Sequence, residues 1–121
     1  MKAAQALLRI RVVLARPSHP GNIGAAARAM KTMGLAQLVL VRPRRFPHAE
    51  ARATAAGARD VLDSAKVCGT LADALEGTVL SVALSARKRD LSHPPLDARE
   101  AARVIALAAQ RDEVALVFGN E

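Results

Sequence analysis

Aromatic residues are almost absent from this chain. Phe46 and Phe118 are the two, with no Trp and no Tyr, so a core has to be assembled from Val, Leu, Ile, Met and Ala. The single cysteine, Cys68, excludes a disulfide framework within the chain. His19, His48 and His93 stand at no ligand spacing, and one cysteine cannot make a zinc cluster, so no metal is expected. No apolar run approaches the roughly 20 residues that a membrane helix needs. The first ten residues, MKAAQALLRI, resemble a weak signal peptide, but Arg9 and Arg11 interrupt the apolar part and no cleavage site follows. A cytoplasmic protein with no membrane partner is expected. Acidic residues are in the minority: 11 against 18 Lys and Arg, a formal charge of +7. That excess is either the generic surface of an Ala- and Arg-rich chain or the mark of a polyanionic partner, whose counterions Lys and Arg displace. The placement of the charge decides between them.

What is present is a regular alternation. Apolar runs at 11–16, 37–42, 66–68, 78–84 and 114–118 read as strands. Between them lie helical segments at 23–33, 49–56, 58–65, 71–76 and 98–110. Asn22 is the expected N-cap and Gly34 the stop of the first of these. Gly57 divides the next two, and Asp97 with Glu100 forms a capping-box-like start to the last. Continuous Val/Leu runs indicate strands covered on both faces. The reading is an α/β fold: a mainly parallel sheet of five or more strands with helices on both faces, in one domain over residues 1–121.

In an open parallel sheet, ligands bind beyond the carboxyl ends of the strands. After the first strand comes RPSHPGN, after the second RPRR, after the fourth SARKR and after the last GNE. Small, amide, hydroxyl and basic residues therefore collect at one end of one sheet. Arg44, Arg45, Arg87, Lys88 and Arg89 form the expected anion- or nucleic-acid-binding rim. Other signals are weaker. GNIG is not the dinucleotide fingerprint, and no Walker-type Lys-Ser/Thr follows it. It serves equally as a tight turn and cap, and it matches the GXXG of KH domains, where the loop joins two helices rather than following a strand. Cys68 reads as core. On the helix over 23–33, Ala26, Met30 and Met33 share an apolar face, while Gly24, Arg28, Lys31 and Thr32 share another.

The residues SHPGNIGAAARAMKTMG, then LSAR after a later strand, then ALVFGNE at the last, together resemble the motifs of the SPOUT superfamily of RNA methyltransferases. The match is to the TrmH/TrmJ group of ribose 2′-O-methyltransferases, and within it to the TrmJ branch; it runs from about Arg11 to Glu121. The resemblance implies a fold whose C-terminal part is a deep trefoil knot. It also implies S-adenosylmethionine as methyl donor, a tRNA substrate, and a homodimer with the active site near its interface. For the TrmJ branch it implies the ribose of nucleotide 32 in the anticodon loop. Asn22 and Arg28 match the active-site asparagine and arginine. Leu84, Ser85 and Ala86 fall on the first cofactor loop, and Gly119, Asn120 and Glu121 on the second. The family's third motif, a loop and helix bearing serine and asparagine, has no counterpart, so the domain is expected to be truncated and its knot incomplete. The alternative reading is a catalytically incompetent RNA-binding fragment of the same fold.

Gly21 and Gly24 are expected to let backbone approach a nucleotide. Asn22 either caps the helix or orients a ribose. Arg28 is expected to stay charged, because a guanidinium is not deprotonated in proteins, and to hold phosphate and a developing alkoxide.

Overall fold

The computed structural model describes residues 3–84 and 98–119. Its elements are α1 (Ala3–Leu7), β1 (Ile10–Ala15), α2 (Pro20–Met33), β2 (Gln37–Val41), α3 (Ala49–Ala55), α4 (Arg59–Asp63), β3 (Lys66–Cys68), α5 (Leu71–Ala74), β4 (Thr78–Leu84), α6 (Ala98–Ala109) and β5 (Glu113–Phe118). One turn of 3-10 helix, Ala56–Ala58, joins α3 to α4. The strands form one five-stranded sheet in the order β3-β2-β1-β5-β4, every neighbouring pair parallel. The expected α/β architecture is therefore present. None of the described helices is long and apolar enough to cross a membrane.

Crossover handedness sorts the helices. Right-handed crossovers place a helix on the face set by the direction of travel across the sheet. The steps β1 to β2, β2 to β3 and β4 to β5 all run one way, and their helices, α2, α3, α4 and α6, pack on one face. There Ile10, Val12, Leu38, Leu40 and Val114 meet Ile23, Ala27, Met30, Ala51, Ala55, Val61 and Ile105. The step from β3 to β4 runs the other way. Its helix, α5, closes a smaller core of Val13, Val39, Val41, Ala74, Ala115 and Val117 on the opposite face.

Two strands depart from the expectation of coverage on both faces. β4 alternates half-buried and exposed residues along its length, with Val79 63% exposed, because α5 packs over β2 and β3, toward the opposite edge of the sheet. β3 is mostly exposed at the other edge, and Cys68 is only half-buried.

The start of α2 is a correction. The helix begins at Pro20, three residues before the expected start, and its N-cap is His19 rather than Asn22. Proline at the first helical position brings φ already set, and its missing N–H is one the first turn leaves unpaired anyway. Asn22 lies inside the first turn, its amide donating to the His19 carbonyl at 3.0 Å. The stop is as expected. Gly34 is left-handed at φ 84°; its amide donates to Lys31 O at 3.2 Å and that of Leu35 to Met30 O at 2.8 Å, the two bonds of a Schellman ending.

The buried face of α2 is a second correction. Ile23, Gly24, Ala27 and Met30 face inward, while Met33 is 58% exposed. Gly24 lies against α3: a Cβ there would stand 2.1 Å from Ala51 O and 2.8 Å from Ala55 N, and 2.0 Å from Thr54 Oγ1. The glycine serves helix–helix contact, not nucleotide approach. At Gly21 the three atoms nearest an added Cβ all belong to the flexible side chain of Glu50. Thr54 completes the contact, its hydroxyl 2.9 Å from the Gly21 carbonyl and 3.0 Å from Glu50 O within its own helix.

Arg11 ties four elements together from β1. Its Nη1 donates to Ala74 O at 2.7 Å and Glu76 O at 2.8 Å, at the end of α5. Its Nε meets Gln37 Oε1 of β2 at 3.4 Å, and its Nη2 lies 3.7 Å from Glu113 of β5. Gln37 in turn donates to Glu113 at 2.8 Å and to Leu8 O at 2.7 Å. The arginine that interrupts the apolar opening of the chain is thus structural.

Outside glycine, Arg16, Arg42 and Ala56 have positive φ, at 53°, 49° and 52°, a region that costs a residue with a Cβ about 1–2 kcal/mol. The break between α3 and α4 expected at Gly57 has its strained residue at Ala56 instead, which is exposed and carries ψ −116°.

Gly24→Ala should destabilise the protein by about 1–3 kcal/mol, because two of the three close neighbours are backbone that cannot rotate away; a melting temperature equal to the parent's would show that α2 and α3 can separate freely. Ala56→Gly should have the opposite sign and raise stability by about 1 kcal/mol, by removing the strain of that φ, as read from chemical denaturation.

Candidate functional site

The carboxyl ends of the strands form one rim. Beyond β1 run Arg16, Pro17, Ser18 and His19, leading into the N-terminus of α2. Beyond β2 run Arg42 to His48. The two loops are joined: the Arg44 amide donates to Pro17 O at 3.2 Å. His48 is the N-cap of α3, its Nδ1 accepting from the Glu50 amide at 3.0 Å, which accounts for one of the histidines without a ligand. Arg44 and Arg45 are exposed here. Arg87, Lys88 and Arg89 lie outside the described residues.

The expected cofactor loops leave from the far half of the rim. Leu84 ends β4 and stands in register with Phe118 of β5, so Leu84 and Gly119 are brought to the same end of adjacent strands. Leu84 is half-buried, Phe118 is 38% exposed, and a Cβ added at Gly119 would meet nothing within 4 Å. Ser85, Ala86, Asn120 and Glu121 lie outside the described residues.

Arg28 is elsewhere. It stands eight residues into α2, about 12 Å along the axis from the rim. It lines an open groove of about 570 Å³ between α2 and α3, with Ala25, Ala29, Thr32, Met33, Ala53 and Thr54. The alanines leave the guanidinium uncovered. Of its expected companions, Gly24 is buried against α3, Lys31 is paired with Asp60, and the Thr32 hydroxyl donates to Arg28 O at 3.1 Å. The Lys31 ammonium holds the exposed Asp60 carboxyl below its usual range. Arg28 and Asn22 do not share a face: six residues at 3.6 per turn place them about 120° apart round the helix. Within one chain, the two expected active-site residues therefore point in different directions.

A second hollow, of about 420 Å³, lies on the α5 face, lined by Arg11, Gln37, Lys66, Cys68 and Asp73 among others. Arg11 is already engaged there with the carbonyls of Ala74 and Glu76. Among the described residues no group of His, Cys, Asp or Glu is placed to hold a metal ion.

Residues 9–121 match the SpoU rRNA Methylase family. The chain belongs to that family. Among curated relatives, the tRNA (cytidine/uridine/adenosine-2′-O-)-methyltransferase TrmJ of Pseudomonas aeruginosa is 56% identical over 114 residues, 93% of this chain and 44% of that protein. Among solved structures, TrmJ from Z. mobilis ZM4 superposes with a TM-score of 0.82 at 37% identity, covering 92% of this chain and 49% of that one. A probable methyltransferase from Bordetella pertussis Tohama I gives 0.87 at 46% identity, covering 96% and 72%. The chain spans less than half the length of the curated relatives it matches. For the SpoU-family chain, the structure adds the α2–α3 packing, the Arg11 network and the left-handed arginines of the rim. No local sequence signal could have found the first two, because their partners lie far along the chain.

Proposed function

We propose that the protein is a tRNA ribose 2′-O-methyltransferase that uses S-adenosylmethionine, acts on nucleotide 32 of the anticodon loop and works as a cytoplasmic homodimer. The observation that carries this reading is the 56% identity, over nearly the whole chain, to a relative named as a tRNA 2′-O-methyltransferase.

The methyl donor supplies, when bound, an activated methyl group on a sulfonium. The described part of its expected site fits such a group: Leu84 and Phe118 offer apolar surface, and Gly119 leaves its backbone unobstructed. Ser85 and Ala86 would extend the first loop, and Asn120 and Glu121 the second. With a donor already activated, the chain's own residues have to position the ribose and help its 2′-hydroxyl lose a proton. Asn22, exposed in the first turn of α2, orients the ribose; the N-cap role falls to His19. Arg28 keeps its charge, holds a phosphate and stabilises the developing alkoxide. A phosphate oxygen or a water accepts the proton. Arg44, Arg45, Arg87, Lys88 and Arg89 hold the RNA backbone.

The separation of Arg28 from Leu84 and Gly119 within one chain supports the dimer. The open α2–α3 groove presents Arg28 outward, where a second protomer can bring its own rim to it. A single chain has no such arrangement among the described residues.

Two measurements test the reading. Mass mapping of tRNA treated with the intact protein and S-adenosylmethionine should locate one added methyl on the ribose of nucleotide 32; methylation of a base would overturn it. Arg28→Ala should lower transfer by about a hundred- to a thousandfold with an unchanged melting temperature, since alanine is the best helix former and the position is exposed. Arg28→Lys separates charge from geometry: partial recovery indicates charge, and none indicates the planar fork. Full turnover by Arg28→Ala would remove this helix from the active site.

A further inference from the structure

Arg16 and Arg42 each stand one residue past a strand, and both are left-handed, at φ 53° and 49°. The register that pairs Ala15 with Val41 sets them opposite one another on adjacent parallel strands, about 5 Å apart across the sheet. Both are followed by proline, in ARP and VRP. The backbone holds each in place. The Arg16 amide donates to Val41 O at 2.7 Å and the Arg42 amide to Cys68 O at 3.0 Å, so each continues the ladder one bond beyond its strand.

Nothing local favours arginine at either place. Glycine or asparagine takes the left-handed region at less cost. Like charges directly opposite on neighbouring strands repel. Both residues are exposed, and among the described residues no ion pair joins either to a carboxylate. Two strained, mutually repelling cations are thus held side by side by backbone hydrogen bonds. Strain that the surrounding structure over-determines is typical of ligand clamps. The bond from Arg44 to Pro17 draws the second loop onto the first beside the pair.

We propose that Arg16 and Arg42 are a two-pronged phosphate clamp for the RNA backbone, placed at the ends of β1 and β2 and separate from the groove that holds Arg28. A guanidinium presents a planar fork that binds phosphate oxygens in pairs, and two forks at strand spacing grip one phosphodiester or two in succession. The RNA as source of these phosphates rests on the function proposed above; the placement of the two cations does not.

The test uses the intact protein carrying Arg16→Asn with Arg42→Asn. Asparagine tolerates the left-handed backbone, so the melting temperature should hold or rise. Binding of a single-stranded oligouridylate and of a tRNA transcript is measured over a salt series. The log–log slope should become shallower by about 1.4, two contacts at about 0.7 each. The double lysine variant should keep the parental slope while binding more weakly. A parental slope in the folded asparagine variant overturns the clamp, even where methyl transfer to tRNA is intact and the function stands. A shallower slope with no methyl transfer by the parent protein supports the clamp and overturns the function. Should the double variant not fold, Arg42→Gly, which relieves the strain at that position, is read in the same way with half the change; an unaltered slope there overturns the clamp.

Discussion

The structure depends on the close contact of α2 with α3 at Gly24. α2 leaves the end of β1 and α3 leaves the loop after β2, so the angle between these helices is set by how near they can lie. With no Cβ at Gly24, the backbone of Ala51 and Ala55 rests directly on α2, and Thr54 bonds across to Gly21. The same approach brings Ile23, Ala27 and Met30 down onto Val12, Leu38 and Leu40. It also shapes the groove beside Arg28, whose far wall is Ala53 and Thr54. One missing methyl group thus links the packing of the larger core to the surface where Arg28 stands.

The sheet order has a comparable reach. With all strands parallel, every carboxyl end faces the same way, and every following loop contributes to one rim. The direction of each crossover then decides which face receives a helix, so four helices crowd one side and α5 alone serves the other. The core under α5 is small, and Arg11 reinforces it by gathering the carbonyls that end α5 together with Gln37 and Glu113. A charge pair that is half screened by solvent adds little by itself; the hydrogen bonds to the Ala74 and Glu76 carbonyls give this arginine its weight.

Three kinds of positive charge can be told apart in this SpoU-family chain. Some is structural, as at Arg11. Some is neutralised on the surface, as at Lys31 with Asp60 and Arg52 with Asp63. A third set stands at the rim without carboxylate partners among the described residues, at Arg16, Arg42, Arg44 and Arg45. Counting Lys and Arg cannot separate these classes, and of the three the last bears on a polyanionic ligand. The separation of Arg28 from the rim by about 12 Å along α2 bears in the same way on the proposed dimer. It turns two motifs that look like parts of one site into parts of two surfaces.

The amino-acid sequence by itself determined the element order from β1 onward and the family, and it did not show α1. Buried parallel strands have no polar alternation, so their Val and Leu runs stood out and their limits fell within about a residue of those found. Gly34 was legible as a helix stop because few other residues adopt its φ cheaply. Asn22, Gly24 and Arg28 were legible as a motif, but their roles were not. Whether Asn22 caps the helix depended on Pro20 drawing the start back to His19. Whether Gly24 faces a ligand or a helix depended on α3, some thirty residues on. Tertiary structure alone decided these, along with the partners of Arg11 and the strained pair at Arg16 and Arg42. The physical reason is common to all of them. Local pattern reports which way a residue prefers to point and how much water it avoids, whereas register and crossover direction choose what stands opposite it.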